Sequence, residues 1–300
     1  MANSIKKFLP EVEGQYRRDV DLFKTAWFGV GGPAEILFKP KNIEDLSRFI
    51  LEKDQSLPHE MLGLSSNVII RDRGVKGVVI KLGRNFTSIE INDNIVSLGA
   101  ANIDSNIAYL LAEQNLSGLE FLVGIPGNIG GAIATNAGCY GSEISDRLIS
   151  VEAVHRKTGK VCILQKSDFN FTYRNCPLKS EFFFTKAMFE LEHGNGSKIK
   201  ERLNKITSNR SSTQPIKERT GGSTFKNPPN TRAWELIDAA GMRGTKIGGA
   251  QISQQHCNFL INTGSATASD IENLGDLMQK KVLEKFNTKL EWEITRIGDK

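Results

Sequence analysis

The segment Gly124–Gly141, GIPGNIGGAIATNAGCYG, decides the fold. Six of its positions are glycine, yet Ile125, Ile129, Ala132, Ile133 and Ala134 are apolar and almost nothing is charged. A solvated linker would not carry those apolar side chains. Glycine lets backbone approach a flat or charged ligand closely, because no Cβ intervenes. The spacing Gly124-x-x-Gly127-x-x-Gly130-Gly131 is neither GxxxxGK[ST] nor a GxGxxG after a first strand, which excludes a P-loop and an ordinary dinucleotide-binding fingerprint. If the apolar residues pack on a sheet, the glycine side presents bare N–H groups, an arrangement suited to a wide planar cofactor.

A second loop points the same way. GLSSNVII, Gly63 to Ile70, sets Gly-x-Ser-Ser-Asn between apolar residues. Consecutive backbone N–H groups and two hydroxyls can form an anion nest of the kind a pyrophosphate needs. Taken alone, either loop is also compatible with a tight structural turn.

Working outward, the chain alternates short strands with helices. The segment to about Val20 reads as a helical lead-in. AEILFKP (34–40) reads as a strand, and Ile43, Leu46, Phe49 and Ile50 fall at helical spacing behind a candidate N-cap, Asn42. FTSIEI and IVSLGA flank Asn92-Asp93-Asn94, which is hairpin chemistry, and LISVEAVHR and VCILQ flank a second hairpin at 157–160. A helix is expected around 103–114, a strand in EFFFTKAMFELE and a charged helix over 198–207. The polar, turn-rich region 209–230 begins a second region. Within it a helix is expected at 233–240, short strands at AQIS and NFLIN, a helix opening at Thr267 with Asp270 completing a capping box, and a closing strand LEWEITRIG. This pattern predicts an α+β protein.

Bulk properties bound the rest. With 300 residues, the chain can bury about 75% of its unfolded surface and needs no disulfide staples. Cys139, Cys162, Cys176 and Cys257 show no CxxC spacing and read as reduced thiols, with no metal site. The start lacks the apolar core of a signal peptide, and no run is long enough to span a membrane, so a cytoplasmic protein is expected. The net charge of +5 suits an anionic small molecule, and the dispersed basic residues argue against nucleic acid.

Taken together, the motifs resemble the UDP-N-acetylenolpyruvoylglucosamine reductase (UDP-N-acetylmuramate dehydrogenase) family. The matching pieces are WFGVGGPAEILFKP, GLSSNVIIRDRGVKGVVIKL, GLEFLVGIPGNIGGAIATNAGCYGSEISD, FTYRN, GGSTFKNP, AWELIDAAG, SQQHCNFLIN and LEWEITRIG, in the family's order from about residue 23 to 298. The resemblance implies a two-subdomain FAD-binding fold of the PCMH/vanillyl-alcohol-oxidase type over residues 1–208 (roughly 1–83 and 84–208). A C-terminal α+β substrate-binding domain over 209–300 follows. It implies non-covalent FAD, NADPH as reductant, a UDP-sugar carrying an enolpyruvyl ether as substrate, and UDP-N-acetylmuramate, a cell-wall precursor, as product. No nucleic-acid or membrane partner is expected, and a monomer is.

The family's roles carry over residue by residue. FAD-binding positions are Gly63, Leu64, Ser65, Ser66 and Asn67 in one loop. In the other they are Gly124, Ile125, Pro126, Gly127, Gly130, Gly131, Thr135, Asn136 and Gly138. Ser223 in GGSTFKNP stands at the proton-donor position, Arg174 in FTYRN at that of the arginine on the substrate carboxylate, and Glu293 at that of the C-terminal glutamate. Tyr173, Lys226 and Asn227 are substrate-binding candidates. His256 reads as a structural histidine. Two departures stand out: Thr213 replaces a common lysine, leaving Lys217 or Arg210 as substitutes, and Thr295 replaces a common arginine, with Arg296 on the opposite side of the strand. The chain also lacks the loop insertion with which one branch covers its substrate. The alternatives are an oxidase of the same flavin fold acting on a small alcohol, and a nucleotide-binding regulator without catalysis.

Overall fold

The computed structural model describes residues 9–300. Residues 1–8 of the expected helical lead-in lie outside the described residues, and the rest of that segment is not helical: Gln15–Asp21 is a strand. There Tyr16 packs its ring on Phe38 at 5.0 Å between centroids and donates its hydroxyl hydrogen to Pro10 O at 3.2 Å. A ring held against a sheet this way favours extended backbone over helix.

The chain forms two compact units, one of residues up to 18, 36–63 and 77–208, the other of 19–35, 64–76 and 209–300. Residues 19–35 and 64–76, which the sequence reading placed in the first region, therefore group with the C-terminal third. The cause is apolar burial: Phe28, Val30 and Ile69 share one buried cluster with Phe225, Leu260 and Leu290.

A four-stranded sheet, most of whose residues belong to the first unit, runs in the order Gln15–Asp21, Pro33–Lys39, Val75–Ile80, His59–Met61. The helix Ile43–Glu52 covers it with Leu46, Phe49 and Ile50, and Asn42 caps it by accepting from Asp45 N at 2.9 Å. A five-stranded antiparallel sheet follows, in the order Val161–Gln165, Leu148–His155, Phe182–Glu190, Ile95–Gly99, Ile89–Asn92. Its edge hairpin pairs Asn92 with Ile95, leaving Asp93 and Asn94 as a two-residue turn with Asp93 at φ 56°. Asparagine and aspartate tolerate that left-handed region better than other side chains. The helix Asp104–Glu113, the turn Glu120–Gly124 and the helix Ile129–Thr135 share the buried cluster of this sheet.

The opening segment is thus a turn followed by a short helix, and its glycines have separate causes. A Cβ on Gly130 would meet Ala100 Cβ at 3.0 Å, and one on Gly138 would meet Ser142 O at 2.5 Å. Gly141 turns the chain at φ 85°. Asn128 caps the helix by accepting from Gly131 N at 3.1 Å. A Cβ on Gly63 would sit 2.5 Å from that same Asn128 oxygen.

Two buried carboxylates of the first unit contrast. The Asp45 carboxylate accepts from the N–H groups of Glu13, Gly14 and Lys41, while its own N–H donates to the cap Asn42 Oδ1. Asp104, wholly buried at the start of its helix, has neither oxygen hydrogen-bonded, and burial pushes its carboxyl well above the usual range.

In the second unit, the helix Ala268–Phe286 opens with a complete capping box. Thr267 Oγ1 accepts from Asp270 N, and the Asp270 carboxylate accepts from Thr267 N, each at 3.0 Å. Asp72 adds a second cap, accepting from Ala268 N at 2.7 Å and Ser269 N at 2.9 Å. The closing strand is shorter than expected: Thr295–Ile297 pairs in parallel with Val68–Ile70, and Trp292 forms an isolated bridge to Phe225. Arg296 reaches back to the buried Glu272 at 3.7 Å and lies over the Trp292 ring at 4.6 Å, while Arg71 bonds Glu272 at 3.0 Å.

Two predictions follow from these local arrangements. A carboxyl whose folded-state pKa is raised contributes its full stability below the unfolded pKa of about 4, and that contribution is lost as pH rises toward the folded value, at about 1.4 kcal/mol per pH unit. Asp104→Asn, which removes the ionising group, therefore gains Tm relative to the parent as pH is raised from 4 to 8. Parallel Tm curves across that range would contradict the buried, neutral acid. Separately, Asn128→Ala removes a helix cap and lowers unfolding free energy by about 1 kcal/mol. Gly63→Ala displaces the same oxygen, so denaturant unfolding of the double variant falls short of the sum of the two losses; simple additivity would show that the two sites do not touch.

Candidate active site

In the second unit, one extended segment, residues 219–226, is central. On one side it bridges to the strand end near Leu260–Asn262 through Arg219↔Asn262 and Ser223↔Phe259. On the other it bridges to the closing segment through Phe225↔Trp292. The bonds alternate across it: Thr224 N donates to Asn258 O at 2.7 Å, Glu293 N donates to Thr224 O at 2.9 Å, and Lys226 N donates to Glu291 O at 2.9 Å. Phe225, 1% exposed, anchors the segment and meets the Trp292 ring at 5.1 Å. Burying a side chain of that size is worth about 2–3 kcal/mol.

The two glycines before Ser223 serve different ends. A Cβ on Gly221 would overlap the Phe28 ring, and Gly222 turns the chain at φ 83° with open space around its α-carbon. Ser223 emerges half-buried from that turn. Glu293, also half-buried, sits on the neighbouring strand, its N–H bonded to Thr224 O and its C=O accepting from Asn67 Nδ2 at 3.2 Å. Three expected site residues, Ser223, Glu293 and Asn67, are thereby tied to one backbone ladder, with Thr295 N closing on Asn67 O at 3.1 Å.

Other substrate candidates stand differently. Lys226 is partly buried with Nζ 4.0 Å from Glu291. Asn227 is exposed, and its side-chain oxygen accepts from Ala233 N at 3.0 Å, at the start of the helix Ala233–Ala239. Thr213 ends the helix Gly196–Thr213 and donates its hydroxyl to Asn209 O at 2.7 Å, and Arg210 Nε donates to Gln214 at 3.2 Å. His256 accepts from Asn258 N at 3.3 Å through Nδ1, meets Phe259 edge-on at 4.8 Å, and is kept below its ordinary pKa by burial.

The serine loop turns at Ser65, which is buried at φ 55° and whose carbonyl accepts from Trp27 N at 3.4 Å. A left-handed residue within a turn is the backbone alternation from which an anion nest is made. Leu64, Ser66 and Asn67 are half-buried beside it.

In the first unit, the glycine-rich stretch and the FTYRN turn are joined. Thr172 and Asn175 exchange two backbone bonds, of 3.2 and 3.0 Å, leaving Tyr173 and Arg174 at the corner of a tight turn with Arg174 at φ 55°. Arg174 Nη2 donates to Gly138 O at 2.6 Å, its guanidinium lies 5.1 Å from the centre of the Tyr173 ring, and Asn136 Nδ2 donates to Thr172 O at 3.3 Å. Asn136 also accepts from Ser145 N at 3.1 Å, which commits its amide to the fold. Thr135 is spent similarly, donating to Gly131 O at 3.0 Å.

The expectation that the glycines present bare N–H groups needs correction at two of them. Gly130 N donates to Ala100 O at 2.9 Å, and Gly131 N to the helix cap Asn128 Oδ1 at 3.1 Å. Gly131 supplies clearance rather than a donor: beyond the cap oxygen, nothing within 4 Å would meet a Cβ on it. Clearance of this kind suits a flat cofactor, and, in the other unit, the left-handed serine loop suits an anionic group. Asn128 and Asn258 were missed by sequence reasoning. Asn128 had a legible signal, an asparagine directly before an apolar helical run; Asn258 had none.

Residues 34–165 match a family described as FAD binding domain, and residues 214–297 match one described as UDP-N-acetylenolpyruvoylglucosamine reductase, C-terminal domain. The UDP-N-acetylenolpyruvoylglucosamine reductase of Rickettsia conorii is 50% identical over 290 residues, covering 97% of this chain and 98% of its own. That of Anaplasma marginale is 48% identical over 290 residues, covering 97% and 96%. The crystal structure of UDP-N-acetylenolpyruvylglucosamine reductase from Thermus caldophilus superposes with a TM-score of 0.82 at 31% identity, covering 96% of this chain and all of that one. Near-complete coverage at this identity, on a matching fold, places the chain in the UDP-N-acetylenolpyruvoylglucosamine reductase family.

Proposed function

We propose that this chain is a flavoprotein reductase that converts the enolpyruvyl ether of UDP-N-acetylglucosamine to UDP-N-acetylmuramate in peptidoglycan precursor synthesis, with NADPH as reductant. The observation that carries the reading is the ladder that sets Ser223 and Glu293 on neighbouring strands through the single residue Thr224. Residues 1–208 would carry most of the cofactor contacts and residues 209–300 most of the substrate contacts, with the serine loop belonging to the latter's compact unit.

When bound, FAD supplies the two-electron relay between NADPH and the enol ether. The protein's tasks are then charge and proton management. Hydride delivered to the terminal carbon of the enolpyruvyl group leaves negative charge toward the carboxylate, and the adjacent carbon must take a proton, so that one hydride and one proton are added in total. Arg174 is assigned to the carboxylate: its planar fork suits that group, and its bond to Gly138 O fixes the guanidinium. Ser223 is assigned as proton donor, with the strongly basic carbanion on the adjacent carbon driving a transfer that water would not accept. Glu293 is assigned to hold the developing intermediate, its backbone pinned on both sides. Lys226 and Tyr173 are assigned to the substrate, Asn227 through its amide nitrogen. Ser65, Ser66 and Gly127 are assigned to the cofactor's anionic arm, and Gly131 to its clearance. No helix among the described residues is long and apolar enough to cross a membrane, and a cytoplasmic location fits the nucleotide substrates.

The test separates the half-reactions. Protein reconstituted with FAD is bleached by NADPH without oxygen and regains its colour on addition of the enolpyruvyl UDP-sugar. Ser223→Ala retains bleaching while recolouring slows by about 10²-fold or more, the usual scale of a lost proton donor. Recolouring of that variant at the parent rate would remove Ser223 from the assigned role.

A further inference from the structure

A serine that hands over a proton must hold its oxygen close to one position. Ser223 follows a glycine at φ 83°, a turn that glycine adopts without strain, and bridges to Phe259. The residues after it add a further restraint.

Thr224 and Phe225 supply it through one partner. The pairing of Phe225 with Trp292 is the wide kind, in which the bonds are made by Lys226 N to Glu291 O and by Glu293 N to Thr224 O. The N–H and C=O of Phe225 consequently face away from the closing segment. Both are taken by the side chain of Asn258: Oδ1 accepts from Phe225 N at 3.0 Å, and Nδ2 donates to Phe225 O at 2.8 Å. The main-chain oxygen of Asn258 accepts from Thr224 N at 2.7 Å. One residue, 3% exposed, closes three bonds on the two residues that follow Ser223. Its own place is set by His256, whose Nδ1 accepts from Asn258 N and whose carbonyl accepts from Phe259 N at 3.0 Å.

We propose that Asn258 is the positioning residue for Ser223, and, through the Thr224 carbonyl that receives Glu293 N–H, for Glu293 as well. The amide carries a donor and an acceptor on one rigid plane at any pH, which is what a Phe225 N–H and C=O on the same edge require. The proposal rests on the functional reading above, since it gives Asn258 a part only in the step that uses Ser223.

The experiment is stopped-flow kinetics on the FAD-loaded protein, with Asn258→Ala and Asn258→Asp made in the parent and in the Ser223→Ala background. NADPH bleaching changes by less than about twofold, while recolouring by the enolpyruvyl UDP-sugar slows by about tenfold or more, the size expected for lost positioning. In the Ser223→Ala background the same substitution slows recolouring by less than about twofold, because residues that act as a unit are not additive. Asn258→Asp keeps the shape and serves if Asn258→Ala does not fold. Its recolouring recovers as pH falls, because only the protonated acid can both accept from Phe225 N and donate to Phe225 O. Equal slowing of both half-reactions, an undiminished effect without Ser223, or no slowing at all would overturn the proposal. Parent protein that NADPH does not bleach, or Ser223→Ala that recolours normally, would instead defeat the functional reading and this proposal with it.

Discussion

The arrangement depends on one constraint: an extended segment, 219–226, must satisfy its backbone on both edges while staying buried. A buried peptide group without a partner costs about as much as a lost hydrogen bond, so the segment cannot exist without the strands beside it. On one edge stand Asn258, Phe259 and Asn262; on the other stand Glu291, Trp292 and Glu293. Satisfying those edges is the same act as bringing Ser223 and Glu293 onto adjacent strands. Folding and site assembly are therefore one event in this unit, and the buried Phe225 ring is its anchor.

The glycines reinforce the point. Glycine in these motifs answers several demands at once, and only some concern a ligand. Gly221 admits the Phe28 ring, Gly130 admits Ala100, and Gly222 and Gly141 turn the chain. Gly131 is different, because its open side meets only a cap oxygen. A glycine-rich motif is thus a mixture of packing solutions and ligand clearances, and only geometry separates them.

What was legible in the sequence is what is local. The Asn42 cap, the Thr267–Asp270 box and the Asp93 turn each depend on residues within four positions, and each forms as read. The α+β class followed from the spacing of such elements. The lead-in to Val20 was misread because mixed charge and apolar residues suit a helix as well as a strand, and the deciding contact, Tyr16 on Phe38, is made with another strand. The joining of residues 19–35 and 64–76 to the C-terminal third rests on Phe28, Val30 and Ile69 burying far along the chain. Asn258 was invisible for the same reason: an asparagine between a cysteine and a phenylalanine says nothing of a peptide 33 residues away. Candidate residues such as Ser223 and Arg174 were legible only through family resemblance, since neither a serine after two glycines nor an arginine beside a tyrosine announces chemistry.

The central claim is that the backbone ladder through Thr224 holds the reacting groups in place before any ligand arrives. Amide hydrogen exchange on the unliganded protein measures this directly. The account predicts slow exchange at Thr224, Phe225, Lys226 and Glu293, comparable to the buried strand at Leu260–Asn262. Rapid exchange at those four amides, with the strand still protected, would contradict it.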